Sequence, residues 1–217
     1  VIVIDHHQSE INLPDAFSII NPNQIDDNSD LNYLCAAGVC FMFLVSLNTK
    51  LKQSNWFSEK KKNSPNLLDF LDLVSLGTIC DVVPLVGLNR AIVKQGLKVI
   101  NFKKNLGLKT LIDICNIEAK TSTYHLGYVL GPRINAGGRV GKCSHGANLL
   151  LNSSSKESYK LASELDQFNS DRKKIEKELL NVALNAVTKN INDPVIILHG
   201  NNWHEGIIGI IASRIKD

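Results

Sequence analysis

Val1-Ile2-Val3-Ile4-Asp5-His6-His7 is the stretch that decides the fold. Its first four residues are β-branched and apolar without alternation, a pattern typical of a strand buried on both faces of a parallel sheet. In open α/β sheets, ligands bind beyond the carboxyl ends of the strands. Asp5, His6 and His7 follow directly, and carboxylate with imidazole suits Mn²⁺, Fe²⁺ or Zn²⁺. We therefore expect chemistry here; a histidine pair that only caps a strand is the alternative interpretation of these residues taken alone.

The composition is that of a folded globular chain of one domain or slightly more. The 217 residues are 44% hydrophobic and 21% charged, which provides a core and excludes a disordered chain. The net charge of +3 permits a polyanionic substrate without requiring one. Five scattered cysteines without a CxxC pair indicate a reducing cytoplasm and exclude a disulfide framework. No apolar run reaches the roughly 20 residues of a membrane span, so we expect no membrane association.

An acidic residue lies at the end of a predicted helix. Apolar residues at helical spacing predict a helix over 67–79, and Pro84 disfavours its continuation, so Asp81 falls at an element end. Asp81 stands among apolar neighbours, and a charged aspartate is rarely buried without a partner. A metal ion and a backbone cap are both open as that partner.

A glycine-rich segment is the candidate anion site. Residues 131–141 contain four glycines and a proline, which predicts a loop instead of a regular helix. The loop would present Arg133, Asn135 and Arg139, and arginine forks match the geometry of phosphate oxygens. A tight turn with solvated arginines is the alternative interpretation.

The longest predicted helix follows this segment. Ser154 and Glu157 have the spacing of a capping box, and the helix runs to about residue 190. At roughly 50 Å it exceeds what one small domain needs, which favours a connector between two domains, with a coiled coil as the alternative. Arg172 and Glu176 are predicted to pair across one turn on its exposed side.

A second strand and loop follow the long helix. Residues 195–199 have the pattern of a buried strand, and residues 207–215 that of a helix. Trp203 and His204 lie beyond the carboxyl end of that strand, where ligand contact is expected. A core tryptophan beside a capping histidine is the alternative.

Four motifs, taken in order, resemble those of the DHH phosphoesterases. They are VIDHH (3–7), LGTICDVVPL (76–85), GPRINAGGR (131–139) and WHEGIIGIIASR (203–214). The last two point to the single-strand-specific DNA exonucleases of that family. The resemblance implies an α/β fold with a parallel-sheet DHH domain at residues 1–152. A connector helix at 153–192 and the start of a second α/β domain, DHHA1, at 193–217 would follow.

The resemblance also implies an activity and a set of roles. The protein would be a two-metal phosphoesterase that uses Mn²⁺ or Mg²⁺ to hydrolyse single-stranded DNA from its 5′ end, in DNA repair and recombination. His6 and Asp81 would be metal ligands, Asp5 would fix the imidazole or join the ligands, and His7 would face the scissile phosphate. Contacts to DNA would come from Arg133, Asn135, Arg139, His204 and Trp203.

The family's acidic motifs upstream of the DHH strand are not in this chain. We therefore expect a central fragment that lacks part of the metal site and is inactive alone. The resemblance implies a cytoplasmic monomer whose partners are single-stranded DNA, a helicase and a single-strand-binding protein. Two other functions stay open: a phosphodiesterase of short oligonucleotides or cyclic dinucleotides, and a non-catalytic replication scaffold of the same fold.

Overall fold

The structure, a computed structural model, describes residues 1–187 and 195–216. This part of the chain is mostly helical, with one small parallel sheet. The elements are β1 (Ile2–Ile4), β2 (Ser18–Ile20), α1 (Ala36–Gln53), α2 (Trp56–Glu59), a 3₁₀ helix (Leu67–Phe70), α3 (Leu71–Cys80), α4 (Gly87–Asn101), α5 (Leu106–Ile114), a π-helix (His125–Leu130), α6 (Gly131–Val140), α7 (Ser144–Leu151), α8 (Ser155–Val187) and α9 (Glu205–Lys216).

Two compact units make up the chain. The first comprises Val1–Lys104 and Ala119–Tyr128, and the second comprises Asn105–Glu118 and the residues from Val129 onward. The predicted connector, α8, lies wholly within the second unit. Its predicted end near residue 190, and the predicted domain boundary at 192, lie outside the described residues. None of the helices in residues 1–187 and 195–216 is long and apolar enough to cross a membrane.

The sheet confirms the predicted strand and its parallel pairing. β1 pairs with β2 in register, with Ile2 opposite Ser18 and Ile4 opposite Ile20. The expectation that Val1–Ile4 is buried on both faces is wrong, since Val1 is 91% exposed and Ile2 is 51% exposed. Two strands are all that the described residues contribute to the sheet, so its apolar side chains keep much of their surface in solvent. The α/β prediction is thus confirmed only for this parallel pair.

The first unit is otherwise built from helices around one apolar cluster. The predicted helix over 67–79 is present as the 3₁₀ helix and α3. α3 packs against α4 and α1. The buried residues of the cluster are Phe41, Leu71, Val74, Ile92 and Val99.

The second unit is organised around α8. α5, α6, α7 and α9 all pack against this 33-residue helix. Its predicted start is confirmed, because the Ser154 Oγ accepts the Glu157 amide at 3.4 Å. Towards its end, Leu179 and Ala183 form a cluster with Ile207 and Ile211 of α9.

The glycine-rich segment forms a helix, which corrects the predicted loop. Residues Gly131–Val140 are α6. Pro132 lies in the first turn of α6, which continues directly from the π-helix that ends at Leu130. Ala136 and Gly137 are buried, and a Cβ on Gly137 would meet Leu165 of α8 at 3.1 Å. Small residues here allow two helices to approach closely, and this packing outweighs the low helix propensity of glycine.

The predicted strand over 195–199 is also wrong. These residues are irregular, and none of them belongs to the sheet that the described residues form. An isolated apolar stretch cannot form a ladder without a partner strand. The helix predicted after it is confirmed as α9.

Candidate active site

Asp5, His6 and His7 lie beyond the carboxyl end of β1, as predicted. The Asp5 amide donates to the Ile20 carbonyl at 3.1 Å and so continues the strand pairing. The Asp5 Oδ1 accepts the His6 amide at 2.8 Å and lies 2.8 Å from the His7 Nδ1. The hydrogen bond from the His7 ring and then that from the His6 amide lower the pKa of Asp5. Asp5 is therefore a carboxylate that orients the His7 ring.

His6 and Asp81 meet within the first unit. The His6 Nε2 lies 3.3 Å from the Asp81 Oδ2. The His6 side chain is 17% exposed and that of Asp81 is 41% exposed, so the pair opens to solvent on the carboxylate side. Asp81 is the C-cap of α3, which confirms its predicted place at an element end. The structure thus joins the two residues that the resemblance assigns to the metal.

The chain turns sharply immediately after Asp81. Val82 has a φ of 58° and is 86% exposed. A β-branched residue in the left-handed region is strained by about 1–3 kcal/mol, and such strain is concentrated at functional sites. The turn directs the chain away from the helix and leaves the carboxylate at the helix end.

Two asparagines that the sequence did not single out hold the histidines. The Asn23 Nδ2 donates to the His6 carbonyl at 2.7 Å, and the Asn21 Nδ2 donates to the His7 carbonyl at 2.9 Å. Asn21 is 5% exposed and its Oδ1 accepts the Asn23 amide. Both follow β2, the parallel neighbour of β1. Their place at the same edge of the sheet was the signal that could have identified them.

The chemistry of the pair fits part of a divalent-metal site. An imidazole nitrogen and a carboxylate oxygen that converge on one point are ligand types that Mn²⁺ accepts. In residues 1–187 and 195–216, no group of three or more His, Cys, Asp and Glu side chains is placed to hold a metal ion. His6 and Asp81 would therefore supply only part of a metal's ligands.

Arg133 is anchored instead of being displayed on a loop. Its Nε donates to the Asp166 Oδ1 at 2.7 Å and its Nη1 donates to the Val129 carbonyl at 2.8 Å. The Arg133 side chain is 18% exposed. The guanidinium is thus fixed in the second unit, with Asp166 of α8 setting its direction.

Arg139 joins the third and fourth motifs. Its Nη1 donates to the Gly206 carbonyl at 2.9 Å, and a Cβ on Gly206 would meet the Arg139 carbonyl at close range. Arg139 and Asn135 are both exposed on α6. The second unit therefore places the exposed polar groups of α6 beside the first turn of α9.

Trp203 and His204 have the geometry of a core tryptophan beside a capping histidine, which was the alternative interpretation of this loop. The His204 Nδ1 accepts the Gly206 amide at 3.1 Å, and the His204 carbonyl accepts the Ile207 amide at 2.9 Å, so His204 caps α9. The partly buried Trp203 packs against the cluster that contains Ile207 and Ile211. The cap requires the Nδ1 to be unprotonated, which leaves the Nε2–H of His204 to face other groups.

Comparisons with known proteins identify relatives along the whole chain. No protein-family model matches it. The chain is 42% identical to the single-stranded-DNA-specific exonuclease RecJ of Escherichia coli (strain K12), over all of this chain and 39% of that protein. It is 31% identical to RecJ of Bacillus subtilis (strain 168), over all of this chain and 26% of that protein. The chain therefore spans well under half the length of these relatives.

Solved structures agree with the sequence comparison. A crystal structure of exonuclease RecJ bound to manganese matches with a TM-score of 0.79 and 31% identity, covering 99% of this chain and 51% of that one. RecJ from Thermus thermophilus in complex with Mg²⁺ matches with a TM-score of 0.72 and 30% identity, covering 99% of this chain and 30% of that one. Over its whole length, the chain is a homologue of one part of the single-stranded-DNA-specific exonuclease RecJ.

Proposed function

We propose that the protein is a metal-dependent 5′→3′ exonuclease that hydrolyses single-stranded DNA in repair and recombination. The observation that carries the proposal is the approach of the His6 Nε2 to the Asp81 Oδ2 at 3.3 Å, beside Asp5 and His7. Homology to RecJ along the whole chain supports the same activity. In this proposal the described residues provide one part of the catalytic machinery.

The proposed domain organisation follows from the same homology. Residues 1–152 are assigned to part of a DHH domain with a parallel sheet, residues 153–192 to a connector that is described as helix to Val187, and residues 193–217 to the start of a DHHA1 domain. The parallel pairing of β1 with β2 and the uninterrupted helix α8 support this division.

The proposed site works through positioned side chains. His6 and Asp81 hold Mn²⁺ or Mg²⁺, with further ligands from outside the pair. A bound metal supplies an activated water and neutralises charge on the phosphoryl oxygens. Asp5 fixes the His7 ring through the Nδ1, so the 78% exposed His7 side chain directs its Nε2 outward, towards the scissile phosphate. Asn21 and Asn23 hold both histidine backbones, so little reorganisation is needed when substrate binds.

Contacts to the DNA backbone come from α6 and the start of α9 in this proposal. Arg133 reaches a phosphate with the donors that Asp166 and Val129 leave free, which are the Nη2 hydrogens and the second Nη1 hydrogen. Further polar contacts to the DNA come from Asn135, Arg139 and His204. Trp203, which precedes His204, contacts the same strand. Contacts of this kind recognise phosphates instead of base edges, which suits an exonuclease without base preference.

The experiment is a polarity assay on the full-length protein. Single strands labelled at the 5′ or the 3′ end, and the matching duplex, are incubated with the protein and Mn²⁺. The proposal predicts early release of the 5′ label as mononucleotide from single strands and little release from the duplex. Loss of the 3′ label first, or cleavage confined to short oligonucleotides or cyclic dinucleotides, would contradict it. The 217-residue chain alone is expected to show no activity in this assay.

A further inference from the structure

Two exposed tyrosines of the first unit are stacked on each other. Tyr124 is 61% exposed and Tyr128 is 75% exposed. Their ring centroids lie 5.3 Å apart with an interplanar angle of 29°. Aromatic rings are among the most favourable groups to bury, so a preformed pair that faces solvent is suited to a flat apolar ligand. Tyr128 is the more exposed of the two.

The opposite face of this segment is fixed beside the candidate active site. Leu126, between the two tyrosines, is fully buried, and its carbonyl accepts the Cys80 Sγ at 3.7 Å. Cys80 directly precedes Asp81. Gly127 packs towards Ile79 of α3, where an added Cβ would lie 3.3 Å from the Ile79 Cγ2. The tyrosines are therefore attached to the end of the helix that carries Asp81.

The start of the segment is also held locally. The His125 Nδ1 accepts the Ser122 amide at 3.0 Å, and the Tyr124 ring stands edge-on to the His125 ring with centroids 5.8 Å apart. The residues from His125 to Leu130 form a π-helix, a rare geometry that often marks functional sites. The backbone that carries the tyrosine pair is therefore held by hydrogen bonds within the segment.

The charge of the surrounding sequence favours a polyanion. Residues 119–156 contain none of the chain's 21 Asp and Glu residues, whereas five of its 24 Lys and Arg residues fall there. Lys120 lies in the first unit with the tyrosines, whereas the other four cations, Arg133, Arg139, Lys142 and Lys156, belong to the second unit. Exposed π-faces suit the bases of a single-stranded nucleic acid, and Lys120 supplies a cation for its phosphates in the same unit as the tyrosines.

We propose that Tyr124 and Tyr128 form a base-stacking platform for a single strand of DNA. The inference rests on the proposed function, because it assumes that the strand reaches the His6–Asp81 pair. A base stacks on the outer face of Tyr128, and the next base continues the stack. Because every base has a π-face, this contact adds affinity without sequence preference. A duplex, whose bases are already stacked inside, gains nothing from the platform.

Binding assays on the full-length protein test the platform. Fluorescence anisotropy is measured with labelled oligothymidylate of about 12 nucleotides, within the usual range of site sizes, and with an abasic strand of equal length. A chelator excludes divalent metal, so that no strand is hydrolysed. The variants are Tyr124→Ala/Tyr128→Ala and the matched Tyr124→Phe/Tyr128→Phe. Tyr159→Ala, at an isolated 63% exposed tyrosine of α8, is the control.

The expected result is specific to bases. The double alanine variant binds oligothymidylate about 5- to 150-fold more weakly per stacked base. The phenylalanine variant and Tyr159→Ala bind as the wild type does, and all four proteins bind the abasic strand equally. The slope of affinity against salt concentration does not change, because no phosphate contact is lost. Thermal unfolding followed by circular dichroism checks that each variant is folded.

Other results overturn the platform. Equal binding of oligothymidylate by the alanine variant and the wild type would show that the two tyrosines do not bind bases, and it would leave the proposed function standing. Equal loss of affinity for both strands would show a general defect in place of stacking. A change in molecular mass on size exclusion would assign the tyrosines to a protein interface. Failure of the wild type to bind any oligonucleotide would count against the platform and the proposed function together.

Discussion

The His6 Nε2 lies 3.3 Å from the Asp81 Oδ2, which joins the end of β1 to the end of α3. Replacing His6 by Ala is expected to lower the nuclease activity of the full-length protein at least about 100-fold. Even residues that only orient metal ligands contribute 10- to 100-fold to metal affinity or activity. The fold should survive, since the ring is held at a strand end and not in an apolar cluster. Activity and thermal unfolding are measured together, with Asp69→Asn as the control at an exposed carboxylate. A large drop in melting temperature of the metal-free variant would contradict the account.

Glu176 is a buried carboxylate bound by two arginines. Its Oε2 accepts the Arg172 Nη1 at 2.7 Å and its Oε1 accepts the Arg214 Nε at 2.8 Å, while Glu176 is only 7% exposed. The expected placement of this pair on the exposed side of α8 is therefore wrong. Glu176→Ala should destabilise the protein by about 3 kcal/mol, the lower end for a broken buried pair, since the Arg214 side chain is 58% exposed.

Glu178→Ala is the matched control for that change, because Glu178 is exposed on the same helix. It should alter the free energy of unfolding by less than about 0.5 kcal/mol. Combining Glu176→Leu with Arg172→Met removes the buried cation with its partner, but it also takes both Arg172 donors from the buried Asn169 Oδ1, so little of the loss should be recovered. Denaturant unfolding measures all of these variants. Equal effects of Glu176→Ala and Glu178→Ala would show that the two arginines contribute nothing.

Two helical glycines should respond in opposite directions to alanine. A Cβ on Gly96 of α4 would collide with the Ser75 Oγ and the Leu71 carbonyl of α3. Gly96→Ala should therefore destabilise the protein by about 1–3 kcal/mol, the usual cost of overpacking. Apart from the backbone of its own helix, nothing lies within 4 Å of a Cβ added to Gly209 of α9, so Gly209→Ala should be neutral or stabilise by up to about 1 kcal/mol. Urea unfolding distinguishes them, and a neutral Gly96→Ala would show that α3 and α4 are not in this close contact.

Asp72 should lower the free energy of unfolding as the pH rises, which is the opposite of the usual effect of a carboxylate. It is 4% exposed, and burial, with a smaller contribution from the nearby charge of Asp69, raises its pKa. Above the ordinary aspartate pKa of about 3.9, the native state holds this proton more tightly than the unfolded state. The contribution of Asp72 to stability is therefore full at low pH and is lost as the pH rises through the native pKa.

Asp72→Asn tests this sign. In the wild type the Asp72 Oδ1 accepts a hydrogen bond from the Leu73 backbone N–H. The asparagine side chain keeps an oxygen that can accept this bond, and it cannot ionise. Relative to the wild type, the variant should gain unfolding free energy as the pH rises from about 4 to about 7, above the ordinary aspartate pKa. Asp15→Asn, at an exposed position, is the control and should follow the wild type. A difference between Asp72→Asn and the wild type that stays constant with pH would contradict the prediction.

Some of the site could be predicted because it depends on local patterns. The apolar run before Asp5 predicts a strand, which forms because Ser18–Ile20 provides its neighbour, and Pro84 limits the helix that ends at Asp81. Both predictions are confirmed. The local sequence pattern could not predict the contact between His6 and Asp81, because their 3.3 Å approach depends on how β1 and α3 pack.

Other features depend on packing that no local pattern reveals. The low propensity of glycine predicted a loop at 131–141, but burial of Ala136 and Gly137 makes the segment helical. The apolar residues 195–199 predicted a strand, but strand formation requires a neighbour. Tyr124 and Tyr128 were not singled out, although their spacing of four residues places them on one face of a helix; their exposure depends on packing. Trp203, the aromatic residue that was singled out, is partly buried in a cluster.

Binding of Mn²⁺ tests the central claim most directly. The full-length protein, His6→Ala and Asp81→Asn are titrated with Mn²⁺, and free metal is followed by its electron paramagnetic resonance signal. Because His6 and Asp81 are proposed ligands, each variant should bind Mn²⁺ at least about 10-fold more weakly or lose one bound ion. Asp69→Asn should match the wild type. Identical Mn²⁺ binding by all four proteins would contradict the assignment of His6 and Asp81 as the metal-holding pair.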